Sequence, residues 1–514
     1  MKKLISMVLA VMLICSMLVA CTGGETPSSS VGSTTEGSTA ETGETSTKRE
    51  EPVKLVVAFM NWVGAMPNQQ KVVDAMNAIT LESMNIEIEL QIMDSASYSQ
   101  QMTLMLAGGE QVDLFNAISI GYTSSINNGY LIDLEEDNLL QTYGQGIIDT
   151  MGQTYIDACR FGGVLYGLPN QRDMAIGQNG YAIPEKYLDE IGYEYTSDNV
   201  IKVTEAEIAE IYKKLHEKFP NMVIFSPQTA TLAQSQPFDA IGGDNFGVLL
   251  DYGKELKVED LFGSDYYSNL CNRMFNWRNM GYISGDALTN DIAATTAVRS
   301  GSAISYATAI KPGIKSQESN LCGQPMVIFQ AGEDFMRSSS VSGMPWCIAN
   351  NTVDKVAAME YLNELYTNPE LSRLLCWGVE GEEYKVTEDG HLTFADGITA
   401  DTSGYLHSVN WQLPNQFIAG VFEGDDLGLW DEMKEFNQNA IISNALGFSF
   451  DNSSLTTEFT ALTNIYLEYQ KQLEFGFVDP ATGIPEMIER LKGAGLEKYM
   501  AEKQKQLDEW AANK

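Results

Sequence analysis

Apolar positions change texture three times along this chain. Residues 4–19 form one apolar run, residues 22–51 are almost wholly Ser, Thr, Gly and Glu, and from residue 52 apolar side chains return in short periodic groups. The run 52–60 (PVKLVVAFM) reads as a strand, ended by Asn61-Trp62, Gly64 and Pro67. A helical period covers 68–84, and the alternation of Ile86, Ile88, Leu90 and Ile92 reads as a second strand. Residues 98–107 are helical again until Gly108-Gly109, and 112–115 is a third strand ending at Asn116. Strand, helix, strand, helix, strand predicts an α/β layer on a largely parallel sheet. Ligands of such open sheets sit beyond the carboxyl ends of the strands, so Asn61, Trp62, Asp94 and Asn116 become candidates to face a cleft.

Farther on, 163–170 (GVLYGLPN) leads through Gln171-Arg172-Asp173 into another apolar stretch. Thr204 and Glu207 make a capping box ahead of Ile208, Ile211, Leu215 and Phe219. Strands are expected at 222–225, 303–307 and 326–329, and after Gly343-Met344-Pro345-Trp346-Cys347-Ile348 an amphipathic helix runs over 354–366. Beyond 381 come aromatic-rich loops around Trp411 and Trp430, then helices at 454–475 and 496–510. In the last of these Leu496, Tyr499, Met500, Leu507 and Trp510 form a stripe expected to pack on the body, ringed by charged residues that include Lys503.

Charge narrows the ligand. Asp plus Glu total 69 against 32 Lys plus Arg, a net charge of -37, and such a field repels phosphate backbones and favours a neutral or cationic ligand. Cys159, Cys271, Cys322, Cys347 and Cys376 are odd in number and show no C-x-x-C spacing, so neither a disulfide framework nor a zinc site is indicated. Phosphate loop, nucleophile elbow and H-E-x-x-H motif are all missing, and His216, His391 and His407 are scattered and read as surface residues. Paired carboxylates for glycan hydrolysis stay open at this level, because their diagnostic separation is spatial.

The amino terminus supplies an address. Lys2 and Lys3 precede an apolar run shorter than the roughly 20 residues of a membrane-spanning helix, so 1–20 reads as a signal peptide. Leu18-Val19-Ala20-Cys21 resembles a bacterial lipobox, with Cys21 as the lipidated, palmitate-bearing first residue of the mature protein; Leu18 suits a plain secretory cleavage site poorly. Residues 21–51 are too polar to fold and form a disordered tether spanning on the order of 30 Å on average.

The body then resembles the family 1 extracellular solute-binding proteins, the lipid-tethered receptors of ABC importers. Met105 to Phe115 (MLAGGEQVDLF), the turn Tyr166-Gly167-Leu168-Pro169, and the stretch from Trp346 through Thr367-Asn368-Pro369-Glu370 to Gly378-Val379-Glu380-Gly381 carry the likeness. The closing segment, with Glu502-Lys503-Gln504 and Gln506-Leu507-Asp508-Glu509-Trp510, is similar to that of the family's long branch, which ends in a domain of unknown function.

The resemblance implies an α/β, two-lobed periplasmic-binding-protein-like fold with a hinge and a mostly helical C-terminal extension. It places residues 52–171 plus 302–345 in the first lobe, 172–301 plus 346–380 in the second, and 381–514 in an extension packed on the second. It implies a monomeric, non-catalytic receptor without cofactor or metal, anchored on the outer face of the cell membrane and serving an ABC permease. An oligosaccharide is the expected ligand; a peptide or other polar solute, a tethered glycan hydrolase and a sensing role are the alternatives. Sugar binding needs aromatic faces and polar side chains. Trp62, Tyr166, Trp346 and Trp411 are expected to supply the faces, and Asn61, Asn116, Asn170, Gln171, Arg172 and Asp173 the hydrogen bonds, with Phe238, Asp239 and Glu380 as further candidates. Trp277 and Trp377 are expected to pack internally.

Overall fold

The structure is a computed structural model that describes residues 49–61, 65–229, 236–400, 402–405 and 410–513. Cys21, Trp62 and His407 therefore lie outside the described residues. Residues 48–514 make one compact unit.

The chain opens as its periodicity predicts. β1 (Val53–Asn61) is buried over most of its length, β2 (Ile86–Asp94) alternates buried and exposed positions, and β3 (Leu114–Asn116) is buried throughout. Asp94 caps the helix Ser95–Gly108 by accepting from Ala96 N, and Gly109 ends that helix at φ 70°. β1 lies between β2 and β3, parallel to both. A small ladder of β4 (Arg160–Phe161) and β5 (Val164–Leu165) precedes the first departure from this sheet.

The second sheet is built around β6 (Ile176–Pro184), with β7 (Ile201–Lys202), β8 (Val223–Ser226), β9 (Ala303–Ile310), β10 (Met326–Gln330) and β11 (Asp334–Met336). β9 pairs antiparallel with one edge of β6 and β8 lies parallel beyond it. β10 and β11 follow one another along the other edge. Thr204 makes the expected capping box on the helix Glu205–Lys218. Tyr212 of that helix and Trp277 of the helix Asp265–Asn279 bury against the sheet.

Hydrogen bonding corrects the division of the lobes. Residues 302–345, expected in the first lobe, contain β9, β10 and β11, all paired within the second sheet. Conversely β12 (Trp346–Ile348), expected in the second lobe, pairs antiparallel with β3, and the helices Lys355–Thr367 and Pro369–Trp377 share the core of β1 and β2. The return crossing is thus 337–345. The physical reason is that an apolar run carries no mark of its partner; only register decides it.

The extension also divides. The hairpin β13 (Tyr384–Val386) with β14 (Leu392–Phe394) sits on the first-lobe side, where Trp377 meets Phe422 at 4.3 Å and Tyr405 Oη donates to Leu375 O at 2.8 Å. β15 (Ile441–Ile442) joins the second sheet beside β11. The helices Thr456–Glu474, Pro480–Gly493 and Leu496–Ala512 pack on the helix Asp265–Asn279 and the loops at 238–262. Lys503, one of the charged residues around the stripe, is fully buried: its Nζ donates to Asp244 Oδ1 at 2.8 Å and Gly247 O at 3.0 Å, and Tyr499 Oη donates to Asp244 Oδ2 at 2.8 Å. His216 is likewise half-buried, its ring 5.1 Å from that of Tyr282. The five body cysteines are buried and form no disulfide.

Candidate functional site

Three segments cross between the sheets, and they are bound to one another before any ligand is considered. Leu168 and Trp346 exchange backbone hydrogen bonds at 2.8 Å in each direction. Gly167 permits that closeness, since a Cβ there would stand 2.9 Å from Pro345 and 3.0 Å from Tyr122. Asn170 Nδ2 donates to Gln412 O at 2.8 Å and Leu413 O at 2.9 Å, while Gln171 pairs through its backbone with Pro414 and Gln416. Asn437 adds a third tie: its Oδ1 accepts from Met174 N and Ala175 N, both at 2.9 Å, and its Nδ2 donates to Arg172 O at 2.7 Å.

This bonding decides the fate of several expected ligand residues. Trp346 is 0% exposed, its Nε1 donates to Gln412 O at 2.7 Å, and its ring meets Phe59 edge-on at 5.0 Å. It is a core residue and presents no face to a sugar. Asn116 is also fully buried, with Nδ2 donating to Met344 O at 2.7 Å and Oδ1 accepting from Ile118 N at 3.0 Å. Phe238 is buried among the closing helices, and Glu380 is exposed beside the hairpin. Asn170 and Gln171 are buried too, but Asn170 Oδ1, Gln171 Oε1 and the neighbouring Gln412 Oε1 have no partner among the described residues. Such acceptors are ordinarily satisfied by water or by a ligand hydroxyl.

On the first sheet, Asn61 and Asp94 end β1 and β2 in register, and Asn61 is 6% exposed. Tyr166 is half-buried against Tyr122, whose Oη accepts from Tyr166 N at 3.2 Å. Trp411 is half-buried in the short turn Asn410–Gln412.

The second sheet adds an edge that sequence reasoning largely missed. Its strands β8, β9, β10 and β11 run parallel to one another, and the carboxyl ends of β9 and β11 lie at the start of β6, with Ile310 opposite Gly177 and Phe335 opposite Ile176. There Lys311 follows β9 and bonds Asp173 Oδ2 at 2.7 Å, and Arg172 Nη2 donates to Ser340 O at 2.8 Å. Burial pushes the Asp173 carboxyl up, but Lys311 and Arg172 outweigh it and hold it below the usual carboxylate range. Gln236 N donates to Gln178 Oε1 at 2.6 Å, and Gln236 Oε1 accepts from Arg337 Nη1. Asp239 is sealed beneath, accepting from Ser338 N at 2.9 Å and Ser338 Oγ at 2.8 Å, and burial raises its carboxyl. The rule about strand carboxyl ends, applied to 303–310, would have found Lys311.

Residues 444–512 match the model of a domain of unknown function, DUF3502. Over 472 residues the chain is 26% identical to a carbohydrate ABC transporter substrate-binding protein of Streptococcus pneumoniae serotype 4, covering 89% of this chain and 91% of that one. The chain is similar to extracellular solute-binding proteins. The chain superposes with a TM-score of 0.77 on the N-glycan transport solute binding protein NgtS of S. pneumoniae, at 23% identity over 90% of this chain and 99% of the other. With NgtS in complex with Man5GlcNAc the TM-score is 0.64, at the same identity and coverage. The fold is accordingly the two-lobed one of these solute-binding proteins.

Proposed function

We propose that this protein is the lipid-anchored, extracytoplasmic receptor of an ABC importer and captures an oligosaccharide between its two lobes. The likeness to a carbohydrate ABC transporter substrate-binding protein carries the proposal, because it spans 89% of this chain and 91% of that one. The stronger likeness to NgtS without a named glycan than to its Man5GlcNAc complex supports reading the present arrangement as the open form. A ligand closes such a receptor only if it binds the closed form better, so contacts from both lobes are required. On the first lobe, Asn61, Tyr166 and Trp411 remain the proposed contacts, with Trp62 retained from its place directly after β1. Arg172 and Asp173 stand at the junction, where their mutual bonding makes them framework first.

Calorimetric titration with a panel of neutral oligosaccharides, Man5GlcNAc among them, tests this. The expected result is a dissociation constant of about 1 µM or tighter, near -8 kcal/mol, for at least one glycan. Chromatography after long incubation should show that glycan intact. Silence across the panel would remove the oligosaccharide, and accumulating fragments would replace the receptor with a hydrolase.

A further inference from the structure

One cation on the second sheet's carboxyl edge has donors left over. Arg337 follows β11 directly and is half-buried, and a buried guanidinium keeps its charge because it does not discharge near neutral pH. Its Nη1 donates to Gln236 Oε1, and its backbone N donates to Ser340 Oγ at 3.1 Å. Among the described residues no carboxylate lies within ion-pair distance of it; burial pulls its pKa down, with Asp239 opposing and Arg172 adding to that pull. The neighbouring Arg172 differs: its Nη1 and Nη2 donate to the carbonyls of Asp173 and Ser340, and Asp173 Oδ1 stands 3.6 Å away. Arg172 therefore holds the crossing, whereas Arg337, at the carboxyl end of β11, where ligands of such sheets gather, has five side-chain N–H donors of which one is in use among the described residues.

We propose that Arg337 is a ligand-contacting, specificity-determining residue of the second lobe, its guanidinium gripping two adjacent hydroxyl oxygens of the bound oligosaccharide. This rests on the oligosaccharide reading above. Hydroxyls suit the site better than an anion, because the net charge of -37 opposes an anionic ligand while leaving a neutral one unaffected. The planar fork matches paired oxygens, which a lysine ammonium does not. Gln236 then serves to hold the fork in place.

The test uses the neutral glycan of the panel that binds tightest. Arg337→Ala should weaken it about ten-fold or more without moving the melting temperature, Arg337→Lys should recover only part of the loss, and Gln236→Ala should weaken it less than about three-fold. In a monodeoxy series of the same glycan, at least one analogue should bind wild type about ten-fold more weakly than the parent yet bind Arg337→Ala no more weakly. Unchanged affinity in Arg337→Ala overturns the assignment. So does an equal loss in Gln236→Ala with every deoxy analogue still discriminated by Arg337→Ala, which would make the residue a loop prop. If no glycan binds wild type, the oligosaccharide reading falls first and this assignment falls with it.

Discussion

A single buried amide fixes where the chain leaves the first lobe. Asn437 satisfies two backbone N–H groups and one carbonyl in 172–175, a segment that belongs to neither sheet. Asn437→Ala should cost about 3 kcal/mol, since each lost bond is worth about 1 kcal/mol and the buried groups are left unpaired. Urea denaturation measures it, and a cost well under about 1 kcal/mol would mean that the crossing is held by packing alone. Asp173 gives a pH test at the same scale. Its folded pKa is depressed, so its contribution is present above its unfolded value near 3.9 and disappears as the pH falls through the folded value. The urea midpoints of wild type and Asp173→Asn should therefore lie apart at pH 7 and converge as the pH falls below the unfolded value through the depressed folded one. Residue roles at this junction were poorly legible in sequence. Trp346 carries the chemistry of a sugar platform, but its register opposite Asn116 turns it inward. Register is set by a strand more than two hundred positions away, which no local pattern reports.

Elements were legible where their signals are local. The first three strands and the helices between them lie within a few residues of the expected limits, because alternation, caps and glycine stops are written in the segment itself. The lobe assignment of 302–345 and 346–380 failed because apolar strands suit either sheet. The burial of Lys503 was not legible for a related reason: its partner, Asp244, is brought to it only by the fold. Burial pulls the Lys503 ammonium's pKa down, and Asp244 opposes that pull. Lys503→Ala should cost about 3 to 5 kcal/mol by leaving Asp244 buried and unpaired, whereas the double change Lys503→Met with Asp244→Leu should recover most of it. Urea denaturation of both variants decides. A single variant as stable as wild type would mean that the closing helix does not depend on this pair.

For the whole molecule, the proposal joins three properties: a strongly acidic body, two lobes tied by three crossings, and an amino-terminal segment read from sequence as a lipid tether. Cys21→Ala should shed the protein into the medium, impair uptake and leave glycan affinity unchanged. Full uptake by the shed protein would dissociate the tether from transport. The most direct test of the account is small-angle X-ray scattering of residues 48–514 with and without a saturating glycan, chosen as the tightest binder by calorimetry. The expected result is a free form whose scattering matches this structure and a bound form with a smaller radius of gyration, as the lobes close. Saturated binding with an unchanged scattering profile would contradict capture between the lobes.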